Sequence, residues 1–205
     1  LKVQALVAAG DRIFVGMDRG VSAFLIDKEE VKETSRSLGS LPKDTEVTAL
    51  EVFDGKLWAG TVEGMAWADL SLPNLQDPDS WTSNRGMNIV HDLVVFADSL
   101  FAVARRGVYV FNPGRKNFAP DLVRLNITSL GIFEGTLVAA REDGSFFQRQ
   151  DNGNWQSMEL EGLEQVRALS HSGTSLWVAT AEGLEIVGAE PPPPPHEPPA
   201  NQFYE

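Results

Sequence analysis

The segment VTALEVFDGKLWAGTVEGM, residues 47–65, shows the unit from which this chain is built. An apolar run is followed by a two-residue polar turn, a second apolar run, and a second polar turn that ends in glycine, where a third apolar run begins. The pattern occurs five times, and the glycines at this position lie 44, 43, 37 and 39 residues apart: Gly20, Gly64, Gly107, Gly144 and Gly183. This spacing is typical of the four-stranded blades of a β-propeller.

The apolar runs have the features of β-strands. They are short, rich in Val, Ile, Leu, Phe and Trp, and bounded by Gly, Asp, Asn or Ser, and no window keeps a period of 3.6 residues over the length of a helix. Turns such as Asp54-Gly55 favour tight hairpins, because both residues accept a positive φ. A fourth, less regular strand is predicted in four copies, at residues 30–37, 81–87, 116–122 and 154–160, whereas the fifth copy stops after its third strand.

These signals predict an all-β fold, a β-propeller of four-stranded antiparallel blades. A single four-stranded sheet cannot cover both of its faces, whereas sheets stacked face to face around an axis bury one another. The five repeats are either a complete five-blade ring or a fragment of a larger propeller. We expect a propeller domain over residues 1–189 and a proline-rich tail or linker over residues 190–205, with blades at about 1–44, 45–87, 88–125, 126–163 and 164–189.

Composition argues against several classes of function. The 205 residues carry a net charge of −12, which repels the phosphates of nucleic acid and an anionic membrane surface. The absence of cysteine excludes disulfides, thiolate metal sites and cysteine nucleophiles. No stretch has the roughly 18 consecutive apolar residues that span a bilayer, so no direct membrane insertion is expected. Because the chain begins at Leu1 inside a strand pattern, we expect either that a leader or upstream segment has been removed or that the chain is a piece of a longer protein.

Three motifs carry a family resemblance. They are LWAGT at residues 57–61, followed by Gly64; LWVAT at residues 176–180, followed by Gly183; and DNGNW at residues 151–155. Over residues 1–189 the chain resembles the propeller repeat of two-component regulator sensors. The resemblance implies an extracytoplasmic protein, in the periplasm or at the cell surface, that binds a glycan or a protein partner. The sequence departs from that family in having no transmembrane or kinase segment and only five copies of the repeat.

Charged residues recur at the tip of the hairpin between the second and third strands of each copy. In a propeller these tips open on one face, beside the connections between blades and the mouth of the central channel. The second position of the innermost strand adds polar residues near the same entrance. The sequence therefore predicts a ligand- or partner-binding surface, although exposed hairpin tips are also charged without any function: Asp18, Arg19, Glu63, His91, Arg105, Arg106, Glu142, Asp143, Arg167 and Glu182.

These residues favour a non-catalytic propeller that binds a ligand or a protein partner through one ring face, as a sensor module or as a subunit of a larger surface assembly. The alternative is a carbohydrate-active enzyme resembling a glycosidase, which needs two carboxylates at the channel mouth. No catalytic residue is assigned and no cofactor is expected. Metal binding is not expected either, because the three histidines lack ligand-like spacing: His91, His171 and His196.

Two further patterns are assigned structural roles. His91 and Asp92 are adjacent in a strand, so their side chains point to opposite faces and do not form a catalytic pair. Trp58 and Trp177 occupy equivalent places in their copies and are expected to pack between blades. The tryptophans of the outer strands are better placed for exposed contacts, although packing at the outer edge remains the expectation for them: Trp81 and Trp155.

Overall fold

The computed structural model describes residues 2–160 and 162–188, which form an all-β molecule. Within those residues nineteen strands are joined by turns, and the helical part is one short 3₁₀ turn, Pro78–Ser80. The predicted fold class is therefore confirmed. The tail expected at residues 190–205 lies outside the described residues. No helix in the described part of the chain is long and apolar enough to cross a membrane.

The first three blades each contain four strands. Blade 1 consists of β1 (Val3–Ala9), β2 (Arg12–Met17), β3 (Gly20–Leu25) and β4 (Glu30–Ser35). Blade 2 consists of β5 (Val47–Phe53), β6 (Lys56–Thr61), β7 (Gly64–Asp69) and β8 (Trp81–Asn84). Blade 3 consists of β9 (Val90–Phe96), β10 (Ser99–Ala104), β11 (Gly107–Asn112) and β12 (Asn117–Val123).

The last two blades differ in size. Blade 4 consists of β13 (Ile127–Phe133), β14 (Thr136–Arg141), β15 (Phe146–Arg149) and β16 (Trp155–Met158). Blade 5 has three strands within the described residues, which are β17 (Ala168–Ser172), β18 (Ser175–Ala179) and β19 (Leu184–Val187). In every blade the strands follow one another in sequence order as an antiparallel meander.

The innermost strands set the order of the blades around the axis. β1 packs against β5, β5 against β9, β9 against β13, and β13 against β17. Within the described residues β17 and β1 do not pack on each other in this way. Among the described residues, the inner strands of blades 1 and 5 therefore each pack against one neighbouring inner strand instead of two.

The LWAGT segment shows why the repeat has this sequence. Leu57 and Trp58 are consecutive in β6, so their side chains point to opposite faces of blade 2. Leu57 packs in a cluster with Phe14 of blade 1, whereas Trp58 packs with Leu100 of blade 3. Leu57 is fully buried and Trp58 is 2% exposed. Blade 2 is thus stabilised between blades 1 and 3 by large apolar side chains on both of its faces.

In blades 1 to 4 the glycine at the end of the second turn is required by a close approach of the chain that follows the third strand. Gly107 has a φ of 128°, and a Cβ at this position would lie 1.9 Å from the carbonyl oxygen of Leu122 in β12. No other residue fits there without moving the backbone. The equivalent glycines of blades 1, 2 and 4 meet a carbonyl oxygen in the same way: Gly20, Gly64 and Gly144.

Candidate binding groove between blades 2 and 3

The hairpin tips lie beside the connections that lead from one blade to the next. In blade 2 the amide of Val62 donates to the carbonyl of Glu46, at 3.2 Å, and in blade 3 the amide of Arg124 donates to the carbonyl of Arg106, at 3.1 Å. Tips and connections thus form one surface, which we call the ring face. It comprises the tips at residues 18–19, 62–63, 105–106, 142–143 and 181–182 and the connections at residues 36–46, 85–89, 124–126 and 162–167.

Two adjoining clefts open on the ring face where blades 2 and 3 meet. The first has a volume of about 580 Å³ and is lined by Val62, Glu63, Arg85, Asn88, Ile89, His91 and Arg105. The second has a volume of about 540 Å³ and is lined by Gly86, Met87, Asn88, Arg105, Arg106, Tyr109 and Leu125. Because Arg105 and Asn88 line both clefts, we treat them as one site and call it the arginine groove.

The arginines of the groove stand on fixed backbone. Arg105 and Arg106 form the tip between β10 and β11, which ends at the tightly packed Gly107. Arg85 lies in the connection between blades 2 and 3, and its Nη2 donates to the carbonyl of Ser40 at 2.7 Å. The side chains of Arg105 and Arg106 are exposed, so their guanidinium groups are accessible to a ligand.

Apart from the three arginines, the residues that line the groove contribute little charge. Partial burial lowers the pKa of the His91 imidazole below its ordinary value, which favours the neutral form of this side chain. Glu63 is the one acidic residue among those that line the groove. Three arginines against one carboxylate give the groove a net positive charge in a protein whose net charge is −12.

Asp92, the neighbour of His91, has a separate role between blades. Its carboxylate accepts hydrogen bonds from the amides of Leu93 and Leu130, each at 2.8 Å, and from the hydroxyl of Ser129. Burial of the carboxyl group raises its pKa to about 6, although these three donors oppose the increase. The Ser129 oxygen in turn accepts from the amide of Leu169 at 3.0 Å. This chain of bonds joins blades 3, 4 and 5.

The other predicted site residues lie elsewhere on the molecule. Glu182 lines a separate cleft of about 260 Å³ with Glu164 and Glu185, which we call the acidic cleft. Asp143 accepts from the amide of Ser145 at 3.0 Å and pairs with Arg141 at 2.9 Å, and both contacts are inside its own hairpin. The rest line neither the arginine groove nor the acidic cleft: Asp18, Arg19, Glu142 and Arg167. The structure therefore does not gather all ten residues into one site.

The sequence interpretation did not include the groove residues that come from the connections. Arg85, Asn88 and Ile89 precede β9, and Leu125 precedes β13. The expectation that connections open on the same face as the hairpin tips was the signal that could have identified them. Their lengths differ from blade to blade, so the repeat itself does not align them. No cluster of three or more potential metal ligands lies in the described part of the chain.

The outer tryptophans are structural. Trp81 is 5% exposed, and its indole nitrogen donates to the carbonyl of Leu75 at 2.8 Å. Trp155 donates to Oδ2 of Asp121 at 2.7 Å, and the same carboxylate receives the guanidinium of Arg149 at 2.9 Å. The second contact set joins β12 of blade 3 to β15 and β16 of blade 4. Both indoles therefore tie together the outer parts of the molecule.

The fold is shared with propellers of known structure. The extracellular domain of BT3049, assigned to the hybrid two-component systems of B. thetaiotaomicron, has a TM-score of 0.70 and 19% identity over 90% of this chain and 26% of that chain. The extracellular domain of BT4673, of the same organism and class, has a TM-score of 0.72 and 16% identity over 93% of this chain and 26% of that chain. PorZ, an essential surface component of the type-IX secretion system of Porphyromonas gingivalis, has a TM-score of 0.66 and 17% identity over 90% of this chain and 24% of that chain.

These neighbours are extracellular or surface proteins, and the chain spans about a quarter of the length of each. No family model and no curated protein matches the chain. The resemblance to two-component regulator propellers that the sequence suggests is confirmed at the level of the fold. At these identities the comparisons define the class of protein as a β-propeller, and the function has to be argued from the site.

Proposed function

We propose that this chain is a non-catalytic binding module that works outside the cytoplasm and holds a ligand or a protein partner on its ring face. The arginine groove is the observation that carries the proposal, because it is a wide concave site with accessible guanidinium groups on rigid hairpins. Extracellular sensors and a secretion-system component share the fold, which supports an extracytoplasmic setting. In this setting the module is a sensor part or a subunit of a larger surface assembly.

The mechanism is display of side chains in a fixed geometry. A loop that is ordered only on binding loses conformational entropy, which weakens the complex. Here the backbone amide of Arg124 donates a hydrogen bond to the carbonyl of Arg106, and the guanidinium of Arg85 donates one to the carbonyl of Ser40. Binding therefore costs mainly the rotamer freedom of the arginine side chains, about 0.5–1.5 kcal/mol for each one that is immobilised.

A screen of the labelled chain against glycans and envelope proteins, both as arrays, tests the proposal. We expect at least one ligand whose binding weakens about tenfold when Arg105 is replaced by alanine, because a loss of about 1.4 kcal/mol corresponds to a factor of ten. Arg115→Ala is the matched control, since Arg115 is an exposed arginine in the turn between β11 and β12, away from the ring face. Ligands that bind both variants equally, or no ligand at all, would contradict the proposal.

Glycoside hydrolysis has less support from the geometry. Of the three hairpin-tip carboxylates that could supply such a pair, Glu63 and Glu182 line different clefts, and Glu142 lines neither of these clefts. Glu63 is the only acid among the residues that line the arginine groove. All three glutamates of the acidic cleft are exposed, whereas the general acid of a glycosidase needs surroundings that raise its pKa. Hydrolysis of an array glycan that is lost in Glu63→Gln or Glu182→Gln would overturn the non-catalytic proposal.

A further inference from the structure

The kind of ligand follows from the charge of the arginine groove, and this step rests on the proposed function. Six cationic side chains form ion pairs with a carboxylate within the described residues, and neither Arg105 nor Arg106 is among them. A guanidinium binds a carboxylate through two parallel N–H donors, which makes arginine suited to planar anions. Outside the groove the protein has a net negative charge that repels an anionic ligand, so the field favours binding in the groove.

The apolar residues of the groove distinguish between anionic ligands. Ile89 is 41% exposed and lines the first cleft, and Leu125 is 63% exposed and lines the second. The shared Arg105 contributes to both clefts. A bound oligosaccharide is usually held against an exposed aromatic platform, and the aromatic lining residue here, Tyr109, is half-buried. Exposed aliphatic groups together with arginines fit a ligand that carries both carboxylates and aliphatic side chains.

From these contacts we infer that the arginine groove binds an acidic peptide segment of a protein partner. Its carboxylates pair with Arg85, Arg105 and Arg106, and its aliphatic side chains cover Ile89 and Leu125. An extended peptide advances about 3.3 Å per residue and alternates the direction of its side chains, so it presents both kinds of group along one groove. The hairpin backbone is already fixed by Gly107, which limits the entropy that binding removes.

Selection of random peptides displayed on phage, with the immobilised 205-residue chain as bait, tests this inference without a known partner. We expect the selected peptides to be enriched in Asp and Glu interspersed with Leu, Ile or Val. One selected peptide, synthesised with a fluorescent label, is then titrated by fluorescence polarisation. Its affinity should fall by more than about tenfold in Arg105→Glu and should also fall as salt is added, because exposed charges are screened.

Arg115→Glu is the control, because it makes the same change of charge at an exposed site outside the groove. We expect it to reduce the affinity by less than about twofold, since its charge acts only at long range. Circular dichroism and the thermal midpoint check that Arg105→Glu remains folded. Peptides without acidic enrichment, or an equal loss in the two variants, would overturn the inference.

Other ligands give distinct results. If sulfated heparin oligosaccharides bind through Arg105 while no acidic peptide does, the peptide inference is wrong and the proposed binding function stands. If the array ligands of the proposed function also bind independently of Arg105, both are wrong. Acidic peptides that bind through Arg105 and compete with an array protein would support both.

Discussion

Asp92 illustrates how a single residue holds the blades in place. It lies in β9 and accepts hydrogen bonds from Ser129 and Leu130 of the next inner strand. Its partners are 37 and 38 residues away in the sequence, so no local pattern identifies them. The sequence predicted that His91 belongs to the binding surface and that His91 and Asp92 do not act as a pair. In the structure the His91 side chain lines the arginine groove, whereas the Asp92 carboxylate bonds to the neighbouring blade.

Replacement of Asp92 by asparagine should change how the free energy of unfolding depends on pH. The folded-state pKa of about 6 is above the ordinary value of 3.8, so between these values the folded protein binds more protons than the unfolded chain. Stability from this group therefore increases as the pH falls from about 6 to about 4 and is lost as the pH rises again. Asparagine does not titrate, so this contribution disappears.

Urea unfolding of both proteins between pH 4 and pH 7 measures the difference. The stability of the wild type relative to Asp92→Asn should grow as the pH is lowered. Asp98→Asn, at an exposed turn between β9 and β10, is the control for the substitution itself. A difference between wild type and Asp92→Asn that stays constant across this range would show that Asp92 titrates normally. The pKa of Glu51 is also raised by burial. This carboxyl group is present in all three proteins, so the Asp92→Asn variant is distinguished by the loss of the Asp92 carboxyl group.

The hairpin between the second and third strands is the element that the sequence predicted best. In blades 1 to 3 its glycine is set by the close approach of the outer strand, and in blades 2 and 5 a threonine before the glycine is set by the turn. In blade 2 the hydroxyl of Thr61 donates to the carbonyl of Gly64 at 2.9 Å and accepts from the amide of Glu63 at 3.1 Å. Such short-range contacts depend on residues a few positions apart, so they recur wherever the motif recurs.

Alanine at Gly107 and at Gly183 should have different effects on stability. Both glycines have a positive φ, which costs alanine about 1–2 kcal/mol. At Gly107 the new Cβ also meets the Leu122 carbonyl oxygen at 1.9 Å, whereas at Gly183 nothing lies within 4 Å among the described residues. We expect Gly107→Ala to lose about 1–3 kcal/mol more than Gly183→Ala, as overpacking typically does.

Thermal and denaturant unfolding of the two variants provide the comparison. Equal losses in the two variants would mean that the φ angle alone explains the requirement for glycine, and would contradict the close approach of β12 to Gly107.

The connections between blades were not predicted because, unlike the hairpins, they do not repeat from blade to blade. Residues 85–89 and 124–126 differ in length and do not follow the repeat, so no register of the repeat aligns Arg85 with Leu125.

In the described part of the molecule, the outer face of blade 1 differs from the interfaces between blades. Leu6 of β1 occupies the position of Leu50 and Leu93 in the next two inner strands. Leu6 is 63% exposed, whereas Leu50 and Leu93 are 7% and 4% exposed. The repeats predicted stacked blades but left open whether five copies close a ring. The answer depends on contacts between β17 and β1, which no single repeat encodes.

The substitutions Leu6→Glu and Leu50→Glu should therefore differ greatly in their effect on stability. A charge at Leu50 is buried between blades 1 and 2 and should cost several kcal/mol, on the order of 4 or more. A charge at Leu6 faces solvent, so Leu6→Glu should leave the thermal midpoint nearly unchanged. It should also reduce self-association measured by light scattering, because exposed apolar surface promotes association. A large fall in the midpoint of Leu6→Glu would show that this outer face is covered in the chain alone.

Hydrogen–deuterium exchange tests the position of the binding site on the intact molecule. The chain is compared alone and when saturated with the strongest ligand from the array. We expect slower exchange at residues 85–89 and 105–107, which form the arginine groove, and unchanged exchange at the turn at residues 113–116. Protection confined to the acidic cleft, or no protection on the ring face, would contradict the assignment of the arginine groove as the site of binding.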